Sequence, residues 1–191
     1  MTNKHPNRRA LLKGSAVSVA LAGLPAAPVM AKSKAKGAGS GKTSGGDVVT
    51  SSWQFRQVGT EAWLPATVPG TVHTDLLAAK RIEDPFYRTN ERDQQWIDKV
   101  DWEYRTILTL SPEQVAHEHI DLVFAGLDTF AEVYVNDQHV LTADNMFKAW
   151  TADLKTVAKA GDNTMRIQFH SPIKVGQEKL AAYGFNLPAT N

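Results

Sequence analysis

Apolar and polar residues alternate with a period of two in several short runs after residue 47, which is the pattern of half-buried β-strands. The clearest run ends at Phe169, where Met165 and Ile167 alternate with arginine and glutamine. Similar runs lie at 53–56, 102–110, 120–124, 131–135 and 139–142. Turn-forming residues separate the runs, notably Asn136-Asp137, which tolerates positive φ, and Gly161-Asp162-Asn163. The pattern predicts an all-β fold, an antiparallel β-sandwich.

Two segments depart from this pattern and favour helix. Residues 72–80 place Val72, Leu76 and Ala79 on one stripe, which predicts a short helix. A weaker helical pattern covers 174–183. Val68-Pro69-Gly70-Thr71 precedes the first helix and predicts a type II turn, with Pro69 at the second position and Gly70 at positive φ in the third.

Residues 1–31 resemble a twin-arginine signal peptide. Arg8 and Arg9 precede an apolar run at 14–27, which is shorter than the roughly 20 residues that span a bilayer. Small residues at 29–31 offer a cleavage site. The alternative is a basic tail followed by a buried helix, but one glycine and two prolines interrupt that helix. We therefore expect export to the periplasm or the medium, with no membrane attachment after cleavage.

Residues 32–46 form a Lys/Gly/Ser linker without apolar periodicity, and the folded domain is expected at 47–191. The linker segment 37–43 imitates a phosphate-binding loop. That loop requires a first glycine where Lys36 stands, a buried strand before it and a helix after it. None of these is present in the pattern, so the segment is interpreted as a flexible spacer and no nucleotide cofactor is expected.

The charge distribution excludes one class of partner. Eight of the 21 basic residues precede the first acidic residue, Asp47, which leaves 13 basic residues against 20 acidic ones and a net charge of −7 for residues 47–191. A domain with this balance is a poor partner for phosphate backbones, so nucleic-acid binding is not expected.

The sequence predicts no metal site and no other cofactor. There is no cysteine among the 191 residues, so neither a disulfide framework nor thiolate ligands can form. His117 and His119 share one face of a predicted strand, but a metal site needs three or four ligands and no acidic cluster completes this one.

A loop dense in amide, acidic and aromatic side chains follows Asp84-Pro85, and its flanking motifs resemble a known family. The motifs are V-P-G-T-V-H-T-D-L, D-P-F-Y-R-T-N-E, Q-W-I, D-W-E-Y, F-A-G-L-D-T-F-A-E-V-Y-V-N, A-D-N-M-F and F-H-S-P, in this order. Over residues 48–191 they resemble the N-terminal sugar-binding domain of β-mannosidases, within the β-galactosidase-like glycoside hydrolases. The resemblance implies a jelly roll of the galactose-binding type, which agrees with the alternation pattern.

The same resemblance implies that this chain has no catalytic residue of its own. In the family, two catalytic glutamates lie in a downstream (β/α)8 barrel. A W-D-W-G-P motif contributes to the sugar pocket, and a further strand returns to the sandwich after it. A retaining glycosidase needs two carboxyl groups about 5–5.5 Å apart, and the pairs Glu83/Asp84 and Glu91/Asp93 lie in exposed, turn-rich segments. We expect a domain that is incomplete at its C-terminus and inactive alone.

The resemblance implies that the D-P-F-Y-R-T-N-E loop reaches toward the sugar pocket of the complete enzyme. Asn90 and Glu91 are the candidate sugar contacts, because amide and carboxylate groups bind hydroxyls in fixed geometry. The alternative is that Asn90 holds a turn and Glu91 pairs with a neighbouring arginine. Trp96 is the third candidate, although Trp96 and Trp102 more often serve as packing residues than as sugar platforms.

Three functional hypotheses remain. The leading one is the N-terminal, non-catalytic carbohydrate-binding domain of an exported β-mannosidase, with β-mannoside sugars or glycans and the downstream catalytic barrel as its partners. The second is a free-standing carbohydrate-binding module. The third is an inactive remnant of a frameshifted gene.

Overall fold

A computed structural model of the chain describes residues 52–185 and one short strand near the N-terminus, β1, Ala16–Ser18. The other strands are β2 Trp53–Gln57, β3 Leu64–Ala66, β4 Gly70–Thr71, β5 Trp102–Leu110, β6 Asp121–Phe124, β7 Gly126–Leu127, β8 Ala131–Val135, β9 Gln138–Ala143, β10 Trp150–Asp153 and β11 Gly161–Phe169. The helices are α1 Val72–Ala78, α2 Asn90–Asp93, α3 Pro112–Ala116 and α4 Pro172–Tyr183, with a 3₁₀ turn at Ile97–Lys99.

The strands form one large antiparallel sheet and two small ones. The large sheet has the order β3-β2-β5-β11-β8-β9, and its central pair, β5 and β11, is matched over nine residues from Trp102↔Phe169 to Leu110↔Gly161. The small sheets have the orders β10-β6 and β4-β1-β7. The alternation pattern predicted these strands because one face of each is buried: in β5, Trp102, Tyr104, Thr106 and Leu108 are buried while Arg105 is exposed.

A single core lies between the large sheet and the small ones. Phe55, Tyr104, Val133 and Ile167 are at most 1% exposed on the large sheet. They share one hydrophobic cluster with residues of the small sheets and their connections, namely Leu122, Phe124, Leu127, Ala152 and Leu154. The predicted antiparallel β-sandwich is therefore confirmed.

The described residues hold four α-helices, whereas the sequence predicted one short helix and a second, weaker helical segment. Helix α1 agrees with the predicted segment but ends two residues early. It begins with a capping box in which the Thr71 and Thr74 side chains bond each other's backbone N–H. Helix α4 matches the second helical pattern, with Ser171 as N-cap and Gly184 at φ 81 after it.

The predicted type II turn at Gly70 is wrong. The Val68–Pro69 peptide bond is cis, and Gly70 belongs to β4 without a positive φ. Glycine is required there for a different reason: a Cβ atom at residue 70 would lie well inside van der Waals contact of the Thr67 carbonyl oxygen.

Two further local predictions are corrected, and one is confirmed. The Asn136-Asp137 hairpin has the expected positive φ values of 49° and 62°. The predicted turn at 161–163 is reduced to Gly161, which has a φ of 86°. Asn163 instead lies fully buried in β11, and its side-chain amide donates to the Lys159 and Gly161 carbonyls. His117 and His119 do not share a strand face, since they follow α3 outside any strand.

The predicted signal peptide and linker lie outside the described residues, apart from β1. In β1, Val17 pairs with both Gly70 and Leu127, so this strand lies between β4 and β7.

Candidate functional site

The connections at one end of the large sheet form the candidate site. Phe169, the last residue of β11, is paired with the first residues of β5 and β8, Trp102 and Ala131. Ala131 is also paired with Ala143, the last residue of β9. The segments that enter β5 and β8 therefore meet those that leave β9 and β11. We call this region, residues 84–101, 128–130, 144–149 and α4, the loop end.

Hydrogen bonds join the segments of the loop end. The Ser171 N–H donates to Asp101 Oδ1 at 2.9 Å, and the Ser171 hydroxyl donates to the Asp98 carbonyl at 2.6 Å. The His170 N–H donates to the Phe130 carbonyl at 2.9 Å. Because Ser171 is 1% exposed and caps α4, one residue fixes the helix against the 3₁₀ turn.

Large aromatic side chains protrude from the loop end. Phe86 is 87% exposed and Phe147 is 86% exposed. Tyr87, Tyr183 and Phe185 are also more than half exposed. Aromatic side chains bury large apolar areas when they are covered, so their concentration at one end of the sandwich indicates a surface that another molecule or domain contacts.

Asn90 begins helix α2 and is held within its own loop. Its amide Nδ2 donates to the Asp84 carbonyl at 2.9 Å and approaches Glu83 Oε2 at 3.4 Å. These bonds close the loop around Asp84-Pro85, which is the turn-holding role considered as the alternative. A sugar contact would use the Asn90 Oδ1 atom, so that role stays a prediction.

Glu91 is half-buried, and its carboxylate forms no ion pair with an arginine in the part of the chain that the structure describes. Its backbone carbonyl accepts a bond of 3.5 Å from Gln95 Nε2. The carboxylate is therefore not held by Arg88 or Arg92, the pairing considered in its alternative role. It has the freedom to meet a ligand at the loop end.

Trp96 is 38% exposed and covers one wall of a cleft of about 360 Å³. Its ring packs on Trp102 with centroids 5.9 Å apart, and Trp102 in turn donates from Nε1 to the Ile97 carbonyl at 2.9 Å. The remaining walls include Phe55, Leu64, Leu76 and Arg81. Neither Asn90 nor Glu91 lines this cleft, so the structure does not bring the three candidate residues together in one pocket.

A buried carboxyl, which the sequence pattern did not predict, fixes helix α1 to the core. Asp75 is 2% exposed, and its two oxygens accept from the Thr67 N–H at 2.9 Å and the Tyr104 hydroxyl at 3.0 Å. Burial raises the pKa of Asp75, while the hydrogen bonds from Thr67 and Tyr104 oppose the rise. Burial also raises the pKa of the Tyr104 hydroxyl, and the neighbouring carboxylate adds to the effect.

Three buried polar atoms near the base of the loop end have no hydrogen-bond partner within residues 52–185: His73 Nδ1, Gln94 Oε1 and Asp98 Oδ1. Burial lowers the pKa of His73, and the Asp98 charge opposes this shift, so the imidazole is neutral at pH 7. Unpaired buried groups are uncommon in native proteins and mark places where another polar group is expected.

The buried carboxyls cannot form a catalytic pair. Asp75 and Glu103 are the acidic residues buried in the described part of the chain. Asp75 bonds to Tyr104 in the core, whereas Glu103, the preceding residue of β5, bonds to Arg56 and Arg166 on the other face. Adjacent strand residues face opposite sides, so the sheet separates these carboxyls.

No cluster of three or more His, Cys, Asp or Glu side chains within residues 52–185 could hold a metal ion. Among the helices described, none combines the length and the apolar character needed to cross a membrane.

Comparison with known proteins decides the family. A family model described as "Glycosyl hydrolase 2 galactose-binding domain-like" matches residues 53–191. The chain belongs to this family.

Relatives in this family carry a consistent description. Beta-mannosidase B of Emericella nidulans is 39% identical over 127 residues, covering 64% of this chain and 15% of that protein. Beta-mannosidase of Bos taurus is 34% identical over 128 residues, covering 67% of this chain and 14% of that protein. The crystal structure of β-D-mannosidase from Dictyoglomus thermophilum matches with a TM-score of 0.72 and 36% identity, covering 75% of this chain and 18% of that one. The chain thus spans about 15% of the length of the curated relatives it matches.

Proposed function

We propose that this chain is the N-terminal, non-catalytic carbohydrate-binding domain of an exported β-mannosidase. The observation that carries the proposal is the likeness over the whole sandwich to proteins named β-mannosidase, combined with the small fraction of their length that the chain spans. The two buried carboxyls, Asp75 and Glu103, are engaged on opposite faces of β5 and therefore cannot act together as a catalytic pair, which is consistent with a non-catalytic role.

The loop end is proposed to pack against the catalytic part of the same enzyme. Its protruding aromatics, above all Phe86 and Phe147, provide the apolar area that an interdomain contact buries. The hydrogen bonds of Ser171 hold the surface in one shape before contact, which reduces the entropy lost on docking.

A chimera tests this role. Residues 47–191 would replace the matching domain of the Dictyoglomus β-D-mannosidase, and hydrolysis of a nitrophenyl β-mannoside would be measured with the thermal midpoint. We expect the chimera to be active and the double variant Phe86→Ser/Phe147→Ser to lose both activity and cooperative unfolding with the barrel. Ile107→Ser is the matched control, because Ile107 is 41% exposed in the middle of β5, away from the loop end.

The outcomes separate the hypotheses. Equal activity and equal midpoints for the double variant and the control would contradict docking through the loop end. The free-standing module would be supported instead if the isolated chain is monomeric, binds glycans without the barrel, and has the same thermal midpoint in the chimera as in isolation.

Asn90, Glu91 and Trp96 are proposed as the sugar-facing residues of the loop end. In the chimera, Asn90→Ala should lower kcat/KM by about 10- to 100-fold, which corresponds to roughly 1–3 kcal/mol for an unpaired polar partner. Because Asn90 also bonds the Asp84 carbonyl, the thermal midpoint must be measured in parallel. An unchanged kcat/KM would rule out a sugar contact by Asn90.

Export through the twin-arginine route is part of the proposal and rests on Arg8 and Arg9 before a weak apolar run. Replacing both arginines by lysine should keep the protein in the cytoplasm, as judged by cell fractionation. Unchanged delivery of the double variant to the periplasm would defeat this part alone.

A further inference from the structure

A row of polar and aromatic side chains crosses the outer face of the large sheet. Arg105 is directly opposite Gln54 on one side and Arg166 on the other, and Arg166 is opposite Tyr134. Residues directly opposite in an antiparallel sheet present their side chains on the same face. Since Tyr104 points into the core, this row points outward.

The two arginines of this row are each stacked on an aromatic ring. The Arg105 guanidinium carbon lies 4.0 Å from the ring centroid of Trp63, and that of Arg166 lies 4.0 Å from the ring centroid of Tyr134. A guanidinium that stacks on a ring through its face keeps the N–H groups on its edge available for hydrogen bonds. Stacking also limits the rotamers of both side chains, so two donor groups are held in place across neighbouring strands.

The positive charge of this row is only partly compensated. Glu103 is shared by Arg166 at 3.2 Å and Arg56 at 2.7 Å. Arg105 donates from Nε to the neutral Gln54 amide at 2.9 Å, and it forms no ion pair with any carboxylate within residues 52–185. Like charges placed directly opposite in a sheet repel each other. An anion between Arg105 and Arg166 would relieve that repulsion.

A groove of about 410 Å³ lies over the two arginines, within the range of roughly 300–1,000 Å³ typical of small-molecule sites. We call it the outer groove; its lining includes Gln54, Trp63, Arg105, Tyr134, Asp137 and Arg166. It also presents the hydroxyl-bearing Ser52 and Thr164 and the exposed Ile107. Ser52, Asp137 and Thr164 lie toward the end of the sheet opposite the loop end, so this groove is separate from the site described above.

We propose that the outer groove binds an acidic saccharide, with the carboxylate of a uronic acid residue held between Arg105 and Arg166. The planar N–H edge of a guanidinium matches a carboxylate in a bidentate manner. The hydroxyl and amide groups around it match sugar hydroxyls, and the Trp63 and Tyr134 rings supply apolar edges for the C–H surface of a pyranose. Asp137 is the one acidic residue of the lining, and it disfavours polyanions over a ligand with a single charge. This binding is independent of the proposed β-mannosidase role.

In the test, the full chain is titrated with methyl β-D-glucuronide. Binding is measured by isothermal titration calorimetry and by NMR line broadening of the ligand. Methyl β-D-glucoside, which lacks the carboxylate, and sodium acetate, which lacks the sugar, are the two comparison ligands. We expect saturable binding of the glucuronide, at least about 10-fold weaker binding of each comparison ligand, and loss of affinity as salt is raised.

Variants locate the site. Arg105→Gln should weaken glucuronide binding at least about 10-fold, and Arg105→Lys should also weaken it, because an ammonium cannot replace the stacked planar fork. Arg88→Gln is the matched control: Arg88 is also stacked on an aromatic ring, 5.0 Å from the Tyr87 centroid, but at the loop end. Thermal unfolding of each variant separates loss of binding from loss of folding.

The proposal is overturned if wild-type chain does not bind the glucuronide, if the glucoside or acetate binds equally well, or if Arg88→Gln weakens binding as much as Arg105→Gln does. Equal binding of acetate would mean a simple anion site without recognition of the sugar.

Discussion

The hydrogen bond between Tyr104 and Asp75 provides a sharp test of how the sandwich is held together. Tyr104 is 1% exposed and its hydroxyl is 3.0 Å from Asp75 Oδ2. Tyr104→Phe removes the donor while keeping the ring, which leaves a buried carboxylate oxygen without that partner. The cost of such a loss is about 1–3 kcal/mol, near the upper end for a charged acceptor. With a urea m-value of roughly 2 kcal/mol/M, a cost of 2 kcal/mol lowers the midpoint by about 1 M.

The cost of Tyr104→Phe is expected to depend on pH, because the hydroxyl bonds to a titratable carboxyl. Burial raises the pKa of Asp75 above its ordinary value of 3.8. The folded state therefore binds this proton more tightly than the unfolded chain does. The free energy of folding contributed by the protonated Asp75 is fully present at a pH below the ordinary pKa. It is lost as the pH rises through the higher pKa of the folded state. Tyr104→Phe removes a bond that favours the ionised form, so it should cost more at pH 7 than near pH 4.

The assay is urea unfolding followed by tryptophan fluorescence at both pH values. Tyr87→Phe is the control, because Tyr87 is 55% exposed and its hydroxyl makes no hydrogen bond within the described part of the chain; we expect a change below about 0.5 kcal/mol. In an Asp75→Asn background the effect of Tyr104→Phe should shrink, since the charged acceptor is gone. A Tyr104→Phe cost that equals the control, or that grows toward low pH, would mean that the Tyr104 hydroxyl does not stabilise the Asp75 carboxylate.

Four further variants test other contacts of the fold by the same unfolding assay. Gly70→Ala should cost about 1–3 kcal/mol because its Cβ meets backbone, whereas Gly176→Ala in α4, with open space around it, should be neutral or stabilising. Ser171→Ala removes the cap of α4 and the bond to the Asp98 carbonyl and should cost about 1–2 kcal/mol. Glu103→Gln leaves Arg56 and Arg166 without the carboxylate that they share, and its cost should fall as salt is added. A null effect of Gly70→Ala, Ser171→Ala or Glu103→Gln would contradict the role given to that residue, and so would a clear destabilisation by Gly176→Ala.

The sequence predicts the strands of this fold well because one face of each is buried. Alternation identified β5 and β11, and the Asn136-Asp137 turn identified the β8–β9 hairpin. Helix α3 was missed although its signal was present: Ser111 and Gln114 have the spacing of a capping box, and the structure shows both bonds. The role of Gly70 could not be read from the sequence, since it depends on the path of the chain around Thr67.

The candidate sites were only partly accessible to sequence reasoning. The Q-W-I motif identified Trp96 as a candidate residue. Its partial exposure over a cleft could not be predicted, because it depends on how the ring packs on Trp102. The outer groove could not be predicted, because Arg105 is far in sequence from both Trp63 and Arg166 and meets them only through strand register and packing. Long-range contacts of this kind carry no local periodicity.

The proposed function divides the enzyme into a catalytic barrel and this non-catalytic domain. The most direct measurement is release of nitrophenol from a nitrophenyl β-mannoside by the isolated chain and by the Dictyoglomus chimera that contains it, at matched molar concentration. We expect no release above buffer background from the isolated chain and measurable turnover by the chimera. Turnover of the β-mannoside by the isolated chain would contradict this division of roles, since that result requires a carboxyl pair within this chain.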